Sequence, residues 1–437
     1  MKKLLFIILF TIPFIGFGQG WEKTFGGNTR DIGKSVQQTT DGGYIILGSK
    51  GYPNSDFWLI KTDQNGYLQW DQTFGSSSYD DEPYSVKQTN DGGYILTGRT
   101  RSFGGGTSDK IWLIKTDGNG VQQWDKLFYG GVGWSWGRDV QQTNDGGYII
   151  SGYTGSIGGE DVWLIKTDSQ GNTLWDKTYT GENIQNHCYS VQQTTDGGYI
   201  MIGYTNTSMS GQKVWLIKTD LIGDTLWTNK FDGEFGRDVE QTTDGGYIIV
   251  GTKMSGYCQD LMLIKTNGNG TLLWEKFYNL GGGPELGNSV QQTTDGGYIM
   301  VGIKGPSCSG DSISMGLDYD LWLVKTDSQG DTIWTKTYGS LLNDYGVSVQ
   351  QTNDGGYIMT GIKGYVFNSS SPGGDVWLIK TNSQGGMTWS FNIPTSSSNR
   401  KLEKVVDILG RETKPKPNTP FIEIYDDGTV DKKIVIE

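Results

Sequence analysis

Seven short segments of this chain carry the same acidic turn chemistry. Asp-Gly-Gly-Tyr begins at Asp41, Asp91, Asp145, Asp196, Asp244, Asp295 and Asp354. A second polar loop, typified by Thr-Asp-Gln-Asn-Gly from Thr62, follows in each copy. A carboxylate beside glycines could ligate a divalent cation, cradle an anion with backbone N–H groups, or turn the chain. A calcium loop needs further acids and a closing Glu at fixed spacing. Here a Trp or a strand-like run stands where they would fall. The turn is the better reading, because Asp-Gly and Asn-Gly supply the positive φ angles of tight hairpins.

Other reactive side chains are few. His187 is the single histidine, which excludes multi-His zinc sites and most Ser-His or Cys-His nucleophile pairs. Acids outside the repeated motifs include Asp80, Asp81, Glu82, Glu160, Glu182 and Glu234. A glycosidase or lyase could use two of them, but no spacing rule singles out a pair, and a solvated acidic rim is the alternative. No catalytic residue, metal site or cofactor is therefore assigned. Of the three cysteines, Cys258 and Cys308 stand at similar offsets in neighbouring copies, which makes them a candidate disulfide and leaves Cys188 over.

One aromatic breaks the pattern. Trp134 occupies a column otherwise filled by Arg30, Asp80, Gln185, Gly233, Pro284 and Asn343. With Tyr129 and Trp136 it could stack on a sugar ring or anchor a protein partner. Packing within a loop is the plainer alternative. The other tryptophans recur from copy to copy and are expected to pack blade against blade.

The elements that must position these residues follow from the repeat itself. The 437-residue chain carries 68 Gly and 16 Trp at a formal charge of −12. The acidic balance argues against nucleic acid or an anionic membrane as partner. "WLIKTD" or a close variant begins at Trp58, Trp112, Trp163, Trp215, Met262, Trp322 and Trp377, and a "LWDKTY"-like run closes each copy. Each copy breaks into four strand-like runs: SVQQT, GYIILG, DFWLIKT and LQWDQTF in the first. The third is apolar on both pleat faces, so it must be covered on both. A ring of stacked sheets meets that need with few open edges. The expected fold is an all-β, seven-bladed β-propeller of four-stranded blades over residues 19–395. An eight-bladed ring or an open solenoid is the alternative. An eighth copy of the fourth strand, "WEKTF" at Trp21, precedes the first full unit and is expected to close the last blade.

In such a meander the Asp-Gly-Gly and Thr-Asp-x-x-Gly turns share one face of the ring. The remaining connections, variable in length and chemistry, share the other. Function is expected on the variable face. Four residues before the strand-one Val stands a mostly apolar column, Ile32, Glu82, Trp136, His187, Phe235, Leu286 and Tyr345, expected to plug the channel.

The chain ends differ from the repeat. Lys2 and Lys3, an apolar run from Leu4 to Phe14, and Gly16 and Gly18 read as a secretory leader over residues 1–18. No transmembrane anchor is expected. Residues 396–400 read as a polar linker, and residues 401–437 as a small separate β unit.

Five resemblances follow from these residues. "LIKTDSQGNTLWDK" from Leu164 resembles the repeat of pyrroloquinoline-quinone-type propellers, and the Gly pair with Tyr resembles the kelch repeat. The quinone enzymes use adjacent cysteines that this chain lacks, so the likeness implies fold and no cofactor. The Asp, Gly and aromatic of each turn are similar in structural role to a sialidase Asp box, at longer spacing. Residues 21 to about 395 most resemble secreted propeller-repeat proteins of Bacteroidetes. The tail, through "VVDILGRE" and "DKKIVIE", resembles the C-terminal sorting signal of the type IX secretion system. Asp407, Gly410, Arg411, Asp427, Gly428, Lys432, Lys433, Ile434 and Val435 carry that match. It implies the type IX machinery as a partner and release or attachment at the outer cell surface. Two functions stay open: a non-enzymatic module binding a glycan or surface protein, or a surface hydrolase or lyase using acids of the variable face.

Overall fold

The computed structural model describes residues 20–76, 78–103, 108–131, 133–156, 159–181, 185–207, 211–256, 258–279, 283–306, 319–366, 373–387, 402–407, 411–415, 421–425 and 430–433. The chain divides into two units, Met1–Met387 and Thr388–Glu437. The leader expected over residues 1–18 and the linker over residues 396–400 lie outside the described residues.

The first unit is a ring of seven four-stranded antiparallel sheets. β1 (Trp21–Phe25) precedes the first blade, which comprises β2 (Ile32–Gln38), β3 (Tyr44–Lys50), β4 (Asp56–Thr62) and β5 (Leu68–Phe74). β1 pairs with the third strand of the last blade, in register from Trp21–Lys380 to Phe25–Val376. The last blade thus takes its outer strand from the N-terminal end. Trp389, which aligns with the other fourth-strand tryptophans, lies outside the described residues.

Burial follows the sequence pattern. Strands two and three are covered on both faces, and β5 is exposed along most of its outer edge. Each fourth-strand Trp leans on the Tyr of the next blade's Asp-Gly-Gly-Tyr turn. Trp21–Tyr44, Trp70–Tyr94 and the five equivalent pairs sit at centroid distances of 5.7–6.1 Å. The same Trp ring covers a turn glycine. Gly66 has φ +77°, and a Cβ there would run into Trp21, so glycine is required for conformation and for space.

The Asp of the repeated turn is held from three sides. Asp41 Oδ1 accepts hydrogen bonds from Thr39 Oγ1 (2.5 Å), the Gly43 N–H (3.0 Å) and Lys61 Nζ (3.1 Å). Lys61, buried on β4, also donates to the Thr62 carbonyl. Each blade repeats the pair, through Lys115, Lys166, Lys218, Lys265, Lys325 and Lys380. These Thr, Lys and amide donors hold Asp41, Asp91, Asp145 and Asp244 down at about 2, against the opposing effect of burial. The motif is a turn, and its carboxylate is spent on a strand-three lysine.

The Gln pair before the turn joins blade to blade. The backbone N–H of Thr40 donates to Gln88 Oε1 of the next blade at 2.9 Å. Equivalent bonds run all the way round to Asn353, which donates to Gln38. The preceding position accepts from the next blade's second Gln N–H, as in Gln88 N–H to Gln37 Oε1 at 2.7 Å. Six blades supply that acceptor: Gln37, Gln141, Gln192, Glu240, Gln291 and Gln350. The seventh has Lys87, which has no acceptor to offer.

The second unit holds a three-stranded antiparallel sheet, Leu402–Asp407, Phe421–Tyr425 and Val430–Lys433. Arg411 Nε donates to Asp407 Oδ2 at 3.1 Å. Lys432 and Lys433 lie on its last strand. Gly410, Asp427, Gly428, Ile434 and Val435 lie outside the described residues.

Candidate functional site

The first strand of every blade begins three to five residues earlier than its SVQQT pattern indicates, and a β-bulge interrupts it. The register slips between Gly33 and Ser35, and at the equivalent place in the other six blades. A bulge leaves one residue without a ladder partner and re-aims its side chain. The seven bulged residues, in ring order, are Lys34, Tyr84, Arg138, Tyr189, Arg237, Asn288 and Val347. All seven line one cavity of about 290 Å³ on the axis of the ring. The bulge lies at the end of the strand opposite the Asp-Gly-Gly turns, so the cavity belongs to the variable face.

The residue after each bulge forms the cavity floor: five serines, with Asp139 and Asp238 in blades three and five. Asp139 accepts from Ser85 Oγ at 2.7 Å and from the Val140 and Val191 N–H groups. Asp238 accepts from Ser190 Oγ (2.9 Å), Ser289 Oγ (3.0 Å) and the Val239 and Val290 N–H groups. Burial, with Asp139 nearby, raises the Asp238 carboxyl above its ordinary range. Deeper still, at the glutamine level, Lys87 and Glu240 line a second cavity of about 140 Å³. Burial and the adjacent Asp238 push Glu240 up to about 7.

The mouth is cationic and aromatic in alternation. The Arg138 guanidinium lies 4.1 Å from the Tyr84 ring centroid, 5.0 Å from Trp136 and 5.2 Å from Tyr189. The Arg237 guanidinium lies 4.6 Å from the Tyr189 ring centroid and 4.6 Å from that of Phe235. Arg138 Nη2 donates to Tyr153 OH at 3.2 Å, and its Nε has no hydrogen-bond partner. Lys34 differs, since Glu82 Oε1 meets it at 3.4 Å.

Two members of the column expected to plug the channel, Trp136 and His187, pack between blades. Trp136 Nε1 donates to Asp109 Oδ2 at 2.8 Å. His187 stacks flat on Tyr153 at 3.6 Å, and its Nδ1 is hydrogen-bonded to the Tyr204 hydroxyl at 3.1 Å. Burial, reinforced by Arg138 and Arg237, holds the imidazole down at about 3, so it is neutral. Its Nε2 lies 3.8 Å from Glu160 Oε2, and neither atom has a hydrogen-bond partner.

The three aromatics singled out from the sequence are divided by the structure. Trp136 stands beside the cavity, against Tyr84 and Arg138. Trp134 is in the same strand, paired with Gly155, and its side chain reaches the Glu160 carboxyl. Tyr129 is 42% exposed and is not part of the cavity lining. Cys258 is disulfide-bonded, whereas Cys188 is a buried free thiol pushed up to about 12 by that burial. Cys308, its expected partner, lies outside the described residues, as does Glu182. Among the described residues no cluster of His, Cys, Asp and Glu is arranged to hold a metal ion. The bulge column was missed because it follows no apolar or loop signature. Its signal was the succession of Lys, Tyr, Arg, Tyr, Arg, Asn and Val inside an otherwise repeated frame.

Fold and cavity together define the class: a seven-bladed β-propeller with a polar, axial pocket on its variable face. Solved propellers superpose on it. A polysaccharide lyase of family PL25, an ulvan lyase bound to a GlcA-Rha3S oligosaccharide, aligns over 86% of this chain and 97% of its own, at TM-score 0.52 and 12% identity. The endosialidase of phage phi92 aligns over 97% and 75%, at TM-score 0.50 and 10% identity. Sqt1 of Chaetomium thermophilum, bound to the N-terminus of ribosomal protein L10, aligns over 94% and 98%, at TM-score 0.46 and 11% identity. At these identities the likeness is one of fold. No protein-family profile matches the chain, and no curated protein matches it by sequence.

Proposed function

We propose that this chain is an exported binding module that takes a glycan or protein ligand at the variable-face mouth of its channel. The observation that carries the reading is the bulge ring. Five positions of strand one, Gly33 and Ser35 to Gln38 in the first blade, are uniform or nearly so around the propeller, while the bulged residue differs in almost every blade and, unlike the equally varied Ile32 column, lines the larger cavity. Scaffolds place recognition on the positions their own packing leaves free. The leader-like N-terminus and the sorting-like tail support delivery outside the cell through the type IX machinery. Propellers of this overall fold include a polysaccharide lyase and an endosialidase, so a glycan suits the scaffold.

The test has two arms. The purified protein should bind on a glycan or surface-protein array and release no reducing sugar. Removal of residues 402–437 should trap the chain in the periplasm, and secretion of the truncated form would refute the sorting role.

A second reading, a surface lyase or hydrolase, is favoured by the unpartnered Glu160 and His187 atoms 3.8 Å apart on the variable face. Sugar release abolished by Glu160→Gln would establish it in place of the first.

A further inference from the structure

We infer that the channel mouth recognises a single acidic sugar, a monosaccharide unit bearing one carboxylate; the inference rests on the binding reading above and names its ligand. Arg138 and Arg237 are the central observation. Neither meets a carboxylate within ion-pairing distance among the described residues, although the chain carries a formal charge of −12. Both approach the Tyr189 ring, from 5.2 and 4.6 Å, so they flank one point of the wall. Two guanidinium groups lining one small cavity suit a planar carboxylate, which accepts paired N–H donors. The cation–π contacts hold both forks in place at little further cost in order on binding.

The floor decides what the rest of the ligand must be. Ser85, Ser190 and Ser289 direct their hydroxyl protons to Asp139 and Asp238. Their oxygens are therefore left as acceptors toward the cavity. Such a floor takes hydroxyl donors and repels a second anion, because two carboxylates already sit within it. A polyanion, or a peptide with successive acids, would bring its next charge against that floor. A sugar acid instead presents one anion above and several hydroxyls below. The size agrees: about 290 Å³ lies at the lower end of small-molecule sites, room for one terminal unit and not for a threaded chain.

The experiment is calorimetric titration of the full-length protein with D-glucuronate, its neutral parent D-glucose, and a disaccharide ending in glucuronate at its non-reducing end. The expected result is binding of both acidic probes with glucose at least tenfold weaker. Tighter binding of the disaccharide identifies a glycan end as the source, and equal binding identifies the free sugar acid. Arg237→Gln should weaken the acidic probes at least tenfold and leave the thermal midpoint unchanged. Arg237→Lys should recover part of the loss. Arg138→Gln is less suitable alone, because that side chain is packed between two tyrosines. Val347→Trp, which fills the mouth without touching a charge, should abolish binding as well. Equal affinity for glucose and glucuronate, or indifference to Arg237→Gln, overturns the acidic-sugar inference while leaving a binding module intact. Array ligands that still bind the Val347→Trp protein would instead place the binding surface elsewhere and overturn the channel-mouth reading itself.

Discussion

The two ends of one short strand behave oppositely in this propeller. At the end nearest the Asp-Gly-Gly turns, the paired glutamines lock each blade to the next through backbone N–H groups, and their identity hardly varies. At the other end the bulge frees a side chain from the ladder, and the ring reads Lys, Tyr, Arg, Tyr, Arg, Asn, Val. The difference teaches where a repeated scaffold can carry information. A side chain whose bond is needed seven times is held to one type. A side chain freed from the ladder is not held to one type, and seven copies then make an asymmetric pocket from a symmetric frame. Lys87 and Glu240 are the exceptions at the uniform end. Their opposite charges act on one another across the channel, as the lowering effect of Lys87 on Glu240 indicates.

The strongest way to break the comparison is to remove the uniform end's closure. Deleting residues 20–25 strips the last blade of its outer strand, takes away the Trp21 ring that leans on Tyr44 and removes the Glu22 carboxylate that accepts from Trp377 Nε1 at 2.8 Å. A loss above about 4 kcal/mol is expected, read as a collapse of the denaturation midpoint. A midpoint within a few degrees of the parent would show that the ring holds without its clasp.

Next in size is the lysine beneath each turn. Lys61→Met leaves the Thr62 carbonyl without its lysine donor and lets the exposed Asp41 return to water, for about 1–3 kcal/mol in chemical denaturation. The seven turn aspartates also set an acid limit. Carboxylates held below their unfolded values stabilise the fold above pH 4 and lose that contribution as pH falls from about 4 toward 2. Unfolding monitored by tryptophan fluorescence should therefore steepen in that window, and a flat profile there would dissociate the turn pairs from stability.

Glu240 has the opposite sign. Its folded value, about 7, lies above the ordinary carboxylate value, so its favourable contribution is present at low pH and lost as pH rises toward 7. Glu240→Gln restores the acceptor used by five other blades. It should stabilise by about 1–2 kcal/mol at pH 8 and by nothing measurable at pH 4. Equal effects at both pH values would remove the carboxylate from the explanation.

The smallest effect is expected at the variable end. Val347→Ala should change stability by no more than about 0.5 kcal/mol. A larger loss would mean that the bulge ring serves the scaffold after all.

Strands three and four and the repeated turns were legible residue for residue, because their periodicity and Asp-Gly signals are local. DFWLIKT and LQWDQTF form β4 and β5 with the bounds their pattern indicates. The surplus WEKTF strand was legible by counting. The front half of strand one was not, since a bulge destroys the alternation by which a strand is recognised. That conceals the pocket, and leaves the off-pattern Trp134 and the column four residues before the Val as the conspicuous signals. Trp136 alone of the three aromatics stands beside the cavity, as a wall behind Arg138.

The pairing of Trp21 with Lys380 also sets a timetable. A chain made from its N-terminus shows its first strand early, but the partner edge is formed only after nearly the whole ring has been synthesised. Closing so long a loop is slow by its entropy and topology. Until then both ends of the array are bare sheet edges, open to other chains. The same strand that seals the finished ring is thus the last piece to become useful, and the interval before it docks is when this protein is most exposed to mispairing.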